Sequence, residues 1–294
     1  GTGLSNYTIT SINGSWSITQ APVTANVTIW DKAYDGTTAA SISICTLNSV
    51  VSSDSVTCDF SSASANFDNK NVGTGKMVSV AGLTLSGTSA GNYSFTDASN
   101  GTASILAIYI HGSFTADDKE YDGTTAATVH SRSLSALVSG DIVSLEGGTA
   151  TFSDKDVGTG KTVTLTGASL GGTDAGNYIL EYVTPTTADI TAVVLTASIT
   201  AEDKTYDGTA EASVTDCMLI GVVSGENVTC DYASVIASFA DNNVGEDKVV
   251  SATGLTLSGT DTSNYSFNGT GSGTASITAK HITGSFTADD KVYD

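Results

Sequence analysis

Apolar residues fall on every second position in short runs along this chain. Ile42, Ile44 and Thr46 alternate with Ser41, Ser43 and Cys45, and Val56, Cys58 and Phe60 alternate with Thr57 and Asp59. Ala63, Ala65 and Phe67 continue the pattern, followed by Val78 and Val80, Leu83 and Leu85, Tyr93 and Phe95, and Ala103 and Ile105. A period of two is that of a strand with one buried face. Ser-Asp, Asp-Asn, Gly-Thr-Gly and Asn-Gly turn signals stand between the runs. No segment keeps a helical period over three turns. Roughly seven short strands in a stretch of this length predict an all-β fold, an antiparallel β-sandwich of immunoglobulin-like kind.

The pattern then repeats. Tyr-Asp occurs at Tyr34-Asp35, Tyr121-Asp122, Tyr206-Asp207 and Tyr293-Asp294, with the tyrosines 87, 85 and 87 residues apart. The first three stand in Asp-Lys-x-Tyr-Asp-Gly-Thr, which brings in Gly36, Gly123 and Gly208. Asn71-Val72-Gly73 recurs as Asp156-Val157-Gly158 and Asn243-Val244-Gly245. Gly87-Thr88 with Asn92-Tyr93 recurs as Gly172-Thr173 with Asn177-Tyr178 and as Gly259-Thr260 with Asn264-Tyr265. The middle copy is two residues shorter, and the register places the loss between Leu145 and Phe152. Such a period is too long for one turn of a solenoid and suits a small domain with its own core.

The chain therefore reads as a tandem array: residues 1–20 the end of a preceding repeat, 21–107, 108–192 and 193–279 three complete repeats, and 280–294 the start of a following one. The partial repeats carry too few apolar residues for a core, so Tyr7, Ile9, Trp16, Ile282, Phe286 and Tyr293 are expected to be covered by further protein. Last strand passes into first without a Pro/Gly/Ser linker, as in 104–116, which predicts stiff junctions.

Composition narrows the function. Thirty-one acidic residues stand against 11 basic ones, a net charge of −20, which argues against nucleic acid or anionic membrane as a partner. No apolar stretch reaches the roughly 20 residues of a membrane-crossing helix. Cys45 and Cys58 fall at the same repeat positions as Cys217 and Cys230, and the middle copy replaces both at once, with Arg132 and Leu145. Joint presence and joint absence predict the disulfides Cys45–Cys58 and Cys217–Cys230, each closing a hairpin about a Val-Ser-(Ser/Gly)-(Asp/Glu) turn. A zinc site would need four ligands at closer spacing, and no histidine accompanies the pairs. Disulfides imply an oxidising compartment outside the cytosol.

Asp-Lys-x-Tyr-Asp-Gly-Thr, then Asn-Val-Gly, then Gly-Thr-x-x-x-Asn-Tyr resembles the bacterial YDG repeat and its relatives, the MBG (mostly bacterial Ig-like) domains. The resemblance covers essentially the whole chain. It implies a module of very large secreted or surface-attached bacterial proteins, often adhesin-like, with no catalytic residues to carry over.

Candidate chemistry is sparse. Tyr34-Asp35-Gly36, Tyr121-Asp122-Gly123 and Tyr206-Asp207-Gly208 could bind sugar, but a buried tyrosine ahead of an Asp-Gly turn explains their recurrence in structural terms. Asp68 to Asn71, Asp154 to Asp156 and Asp241 to Asn243 could offer oxygen to calcium, or form Asx turns. Asp117, Asp118, Asp289 and Asp290, next to junctions, are the other metal candidates; the expectation is no metal and no cofactor. Lys32, Lys119 and Lys204 with Asn92, Asn177 and Asn264 could form isopeptides. His111, His130 and His281 share no repeat register and support no triad. Eight Asn-x-Ser/Thr sequons occur, at Asn6, Asn13, Asn26, Asn92, Asn100, Asn227, Asn264 and Asn268.

The expectation is thus a non-enzymatic structural segment of an extracellular, cell-surface fibre or adhesin stalk. Its partners are adjoining repeats of the same longer chain or further copies of itself. The alternatives are self-assembly into a filament and direct binding of a glycan or surface.

Overall fold

The computed structural model describes residues 14–95 and 100–293. Tyr7, Ile9, Asn6 and Asn13 lie outside the described residues. The fold is all-β: strands fill each repeat, and helical geometry is limited among the described residues to single 3₁₀ turns such as Ala90–Asn92. Compact units number two. One holds residues up to His111 with Leu134–Glu146 and Ser169–Tyr182; the other holds Gly112–Ser133, Gly147–Ala168 and the chain from Val183 onward. Each unit thus joins an outer repeat to a portion of the middle one.

In the first unit, Ala21–Ile29 pairs antiparallel with Ile42–Asn48 and parallel with Tyr93–Phe95. A second sheet runs through Lys32–Ala33, Gly101–Leu106, Gly73–Ala81, Ser64–Phe67 and Ala39–Ala40. Lys32–Ala33 lies parallel to Gly101–Leu106. The alternating residues of the sequence meet between the sheets: Val23, Ala25, Phe67, Val78, Val80 and Ile105 are buried. Ile110 and Tyr178 of the middle repeat join this same core. In the second unit, Val193–Ala201 pairs with Val214–Ile220 and, in parallel, with the long strand Tyr265–Thr278. Ile199, Phe239, Val250, Ala252, Leu255 and Ile277 fill its core.

Both disulfides are present, but not as hairpin staples. Cys45 lies on Ile42–Asn48, whereas Cys58 lies on Thr57–Asp59, which pairs with Thr84–Ser86 instead. Cys217 and Cys230 repeat the arrangement on Val214–Ile220 and Thr229–Asp231. The expected facing strands are not hydrogen-bonded to each other. Each bond instead ties a separate two-stranded ribbon to its neighbouring sheet.

The two-residue loss in the middle repeat has a local meaning. In the outer repeats, breaks at 60–63 and 82–83 and at 232–235 and 254–255 divide the hairpin into a main section and a ribbon. In the middle copy Ser144–Phe152 and Gly158–Gly171 run on without that break. A continuous hairpin needs no separate staple. Leu145 is buried where the outer repeats carry cysteine, and the Arg132 guanidinium donates to the Gly147 carbonyl at 2.9 Å.

The start of the following repeat carries no strand over its described residues, and Ile282, Phe286 and Tyr293 are exposed. Trp16 is exposed as well.

Replacing Cys217 and Cys230 by serine is expected to lower the stability of the third repeat by about 3 kcal/mol, from a loop this short. Hydrogen exchange read by mass spectrometry should localise the loss to residues 193–278. Unchanged exchange there would count against the ribbon tie.

Candidate functional site: the joint between repeats

The Tyr-Asp-Gly turn is built the same way three times. Lys32 Nζ donates to Asp35 Oδ1 at 2.7 Å, to the Thr37 carbonyl at 2.9 Å and to the Ala39 carbonyl at 2.9 Å, while sitting over the Phe67 ring. The Thr37 amide donates back to Asp35 Oδ1 at 2.8 Å. Lys119 with Asp122 and Thr124, and Lys204 with Asp207 and Thr209, copy these bonds. The Thr209 amide, with Lys204 second, holds Asp207 down to about 2. Gly36, Gly123 and Gly208 take positive φ of 77°, 76° and 88°, which closes the turn. These lysines donate to their own turns, and among the described residues none is hydrogen-bonded to a recurring asparagine, which gives the isopeptide reading no support.

The tyrosine points away from its own turn, into the next repeat. Tyr34 Oη donates to Asp141 Oδ2 at 2.8 Å, and Tyr178 Oη donates to the same oxygen at 2.6 Å. The Tyr34 and Tyr178 rings meet edge to face at 5.6 Å. Lys70 Nζ reaches Asp141 Oδ1 at 2.7 Å and Asp174 Oδ1 at 3.2 Å. The Asp141 side chain is 1% exposed, so its charge is desolvated and rests on these two phenols and one ammonium. The Val-Ser-Gly-Asp turn holds it between the two tyrosines. The Val72 amide donates to Asn177 Oδ1 at 2.9 Å. Val138 Cγ1 packs so close to Gly36 that an added Cβ would lie 2.7 Å from it. The glycine therefore serves the joint as well as the turn.

The second joint repeats the plan with one change. Tyr121 and Tyr265 meet edge to face at 5.7 Å, Lys155 Nζ reaches Glu226 Oε1 at 2.6 Å, and the Val157 amide donates to Asn264 Oδ1 at 2.9 Å. Here the acid is glutamate, one methylene longer. Tyr121 Oη and Glu226 Oε2 are buried without a hydrogen-bond partner among the described residues.

Burial raises the Asp141 carboxyl, but hydrogen bonds from Lys70, Tyr178 and Tyr34 outweigh it and hold the group below the usual carboxylate range. Burial, and then the Asp141 carboxylate, pushes the Tyr178 hydroxyl up to about 12. Both shifts keep the charged acid and the neutral phenol in place at neutral pH.

Tyr206 departs from the expectation of a buried motif tyrosine. Its copies Tyr34 and Tyr121 are 3% and 2% exposed, yet Tyr206 is 40% exposed. The burial of the first two comes from the acid and tyrosine of the repeat that follows.

The remaining sites resolve into local bonds. Asn71, Asp156 and Asn243 amides donate to Asn69, Asp154 and Asp241 side chains, which are Asx turns. Asp118 Oδ1 accepts the Asp189 amide at 2.7 Å, and Asp117 pairs with His130 at 3.0 Å. Asp289 and Asp290 lie in the strandless segment. Among the described residues no three His, Cys, Asp or Glu side chains gather to hold a metal. What sequence reading passed over was the joint itself: the acid of the Val-Ser-x-(Asp/Glu) turn and the lysines Lys70 and Lys155. The signal was present, since Asp54, Asp141 and Glu226 each stand twenty residues after a motif tyrosine.

Three outcomes follow from this geometry. Gly36→Ala should destabilise the first joint by about 1–3 kcal/mol, through positive φ and the Val138 contact, measured by denaturant titration. Glu226→Asp should shorten the acid to the length of Asp141, bring in Tyr121 and stabilise the second joint by about 1 kcal/mol. Because the folded pKa of Asp141 is depressed, its contribution is present above its unfolded pKa near about 3.9 and fades as pH falls through the lower folded value. The protection of the Val72 and Val138 amides, taken relative to the intrinsic exchange rate at each pH, should therefore fall below about pH 4, and Asp141→Asn should flatten that dependence.

A comparison with curated proteins finds no match. The YDG domain family matches the chain three times, over residues 19–101, 110–188 and 191–275, and so covers most of it. The joint and its Tyr-Asp-Gly turn fall inside these matches, and the chain belongs to the YDG domain family.

Proposed function

We propose that this chain is a structural segment of an extracellular bacterial fibre or adhesin stalk, which extends and presents other domains and catalyses nothing. One observation carries the reading: in the first two copies the family's own motif, tyrosine and glycine together, is spent on gripping the next repeat. A motif kept for catalysis or for a diffusible ligand would leave its side chains open, whereas Tyr34 and Tyr121 are closed off by their neighbours. The two disulfides support an oxidising location. The excess of acid keeps such a surface soluble and away from polyanions.

The test is mechanical and thermodynamic coupling. Hydrogen exchange of the whole chain should show the Tyr34 turn and the Asp141 turn opening together. Asp141→Ala should let the Tyr34 turn open on its own. If the two already open independently in the unaltered protein, the stalk reading loses its support.

A second reading, binding of a glycan, has one specific observation in its favour. His111 stacks on Tyr182 at 4.1 Å and pairs with Glu181 at 2.9 Å, with Tyr182 51% and Tyr109 64% exposed. The third repeat has Thr196 and Gly269 at the positions of His111 and Tyr182, so packing alone does not demand the pair. Saturable binding to a glycan array, abolished by Tyr182→Ala, would establish it.

A further inference from the structure

The middle repeat carries on its outer surface a group of side chains that neither of the other repeats has. Tyr109 and His111 are on Ile108–Ala116, and the buried Ile110 between them faces the core. Ile179, Glu181 and Tyr182 are on Tyr178–Thr184, the neighbouring strand of the same sheet. His111 stacks on Tyr182 with the ring planes 22° from parallel, and its Nε2 lies 2.9 Å from Glu181 Oε2. Tyr109, Ile179 and Tyr182 are exposed, and the Glu181 side chain keeps 54% of its surface in solvent. None of these residues takes part in the joint.

The fold does not ask for them. At the register positions of Tyr109, His111, Glu181 and Tyr182 the first repeat has Pro22, Thr24, Thr96 and Asp97, and the third has Val194, Thr196, Asn268 and Gly269. The outer repeats pair their opening strand in parallel with Tyr93–Phe95 and Tyr265–Thr278 without a ring at any of these places. Aromatic surface left in water and not needed for packing has its explanation outside the fold.

Two features select what it meets. The rings of Tyr109, His111 and Tyr182 offer flat apolar area edged by phenol hydroxyls and an imidazole, which matches a pyranose ring with its C–H face and polar rim. The other feature is charge. The lysines from Lys32 to Lys248 each pair with another acid, and Arg132 is bonded to the Gly147 carbonyl, so none of them compensates Glu181. Glu181 bonds through Oε2 to His111, and among the described residues its Oε1 accepts nothing. The whole chain adds a field of net charge −20. A neutral sugar makes little use of this carboxylate and an acidic one is repelled, whereas an ammonium is drawn both to the acid and to the ring faces.

We propose that the Tyr109–His111–Glu181–Tyr182 surface of the middle repeat binds an amino-sugar polysaccharide, one whose hexosamine rings carry free amines. The sugar ring stacks on the aromatic faces, and its ammonium donates to Glu181. This inference rests on the glycan reading given above and names the sugar class within it.

Calorimetric titration with defined tetramers tests it. A glucosamine tetramer should bind roughly tenfold more tightly than an N-acetylglucosamine tetramer, the size of one charge-assisted hydrogen bond at an exposed carboxylate. Glu181→Gln should bring the two into line by weakening the glucosamine tetramer alone. Tyr109→Val with His111→Thr, the residues of the third repeat at these register positions, should abolish binding of both tetramers and preserve the melting temperature. Binding that survives this double variant would overturn the placement. Equal binding of the two tetramers, unmoved by Glu181→Gln, would overturn the amine selectivity and leave the glycan reading standing. Binding of neither would overturn the proposal, and the glycan reading would then rest on the array alone. Tetralysine that binds as tightly as the glucosamine tetramer would reduce the surface to a general cation trap and overturn the proposal as well.

Discussion

A buried carboxylate has to find positive charge and hydrogen-bond donors, or it is expelled to solvent. In this chain the carboxylate sits on one repeat and its cation on the one before. Asp141 has a tyrosine of its own, Tyr178, but Lys70 and Tyr34 arrive from the preceding repeat. A single repeat folded alone would leave that acid underpartnered. This dependence explains why the compact units do not coincide with single repeats: Asp141 and Tyr178 cluster with the first, and Tyr121 and Lys155 with the third.

The middle repeat shows how the same fold tolerates a changed reinforcement. The outer copies interrupt their long hairpin and then tie the detached ribbon back covalently. The middle copy omits two residues, keeps the hairpin continuous and buries Leu145 where sulfur stood. Disulfide and strand continuity are thus alternative answers to one local problem, which is why both cysteines disappear together.

The repeat period, the strands and the two cysteine pairs were legible because each is a regularity within the chain: alternation, spacing, joint loss. Strand pairing was less so. Nothing in the alternation around Cys58 distinguishes a partner at Cys45 from one at Leu85, and the structure chose Leu85 for the ladder and Cys45 for the bond. The joint was harder still, since its members lie more than a hundred residues apart and belong to two copies, as with Tyr34 and Asp141. A residue that recurs in every repeat looks like core, and only the direction in which Tyr34 points separates a plug from a hook. The recurring Lys32, Lys119 and Lys204 drew attention for their regularity, although the lysines that cross the joint are Lys70 and Lys155.

Within an outer repeat, the opening segment runs parallel to the last segments, as Ala21–Ile29 does beside Tyr93–Phe95, Lys32–Ala33 beside Gly101–Leu106, and Val193–Ala201 beside Tyr265–Thr278. Tension applied through the two ends of such a domain pulls these neighbours in opposite directions along their length. Their hydrogen bonds lie across that direction and share the load together, where a hairpin pulled open from its ends would lose its bonds in succession. The topology that closes each sandwich is therefore also the one that makes it hard to draw out.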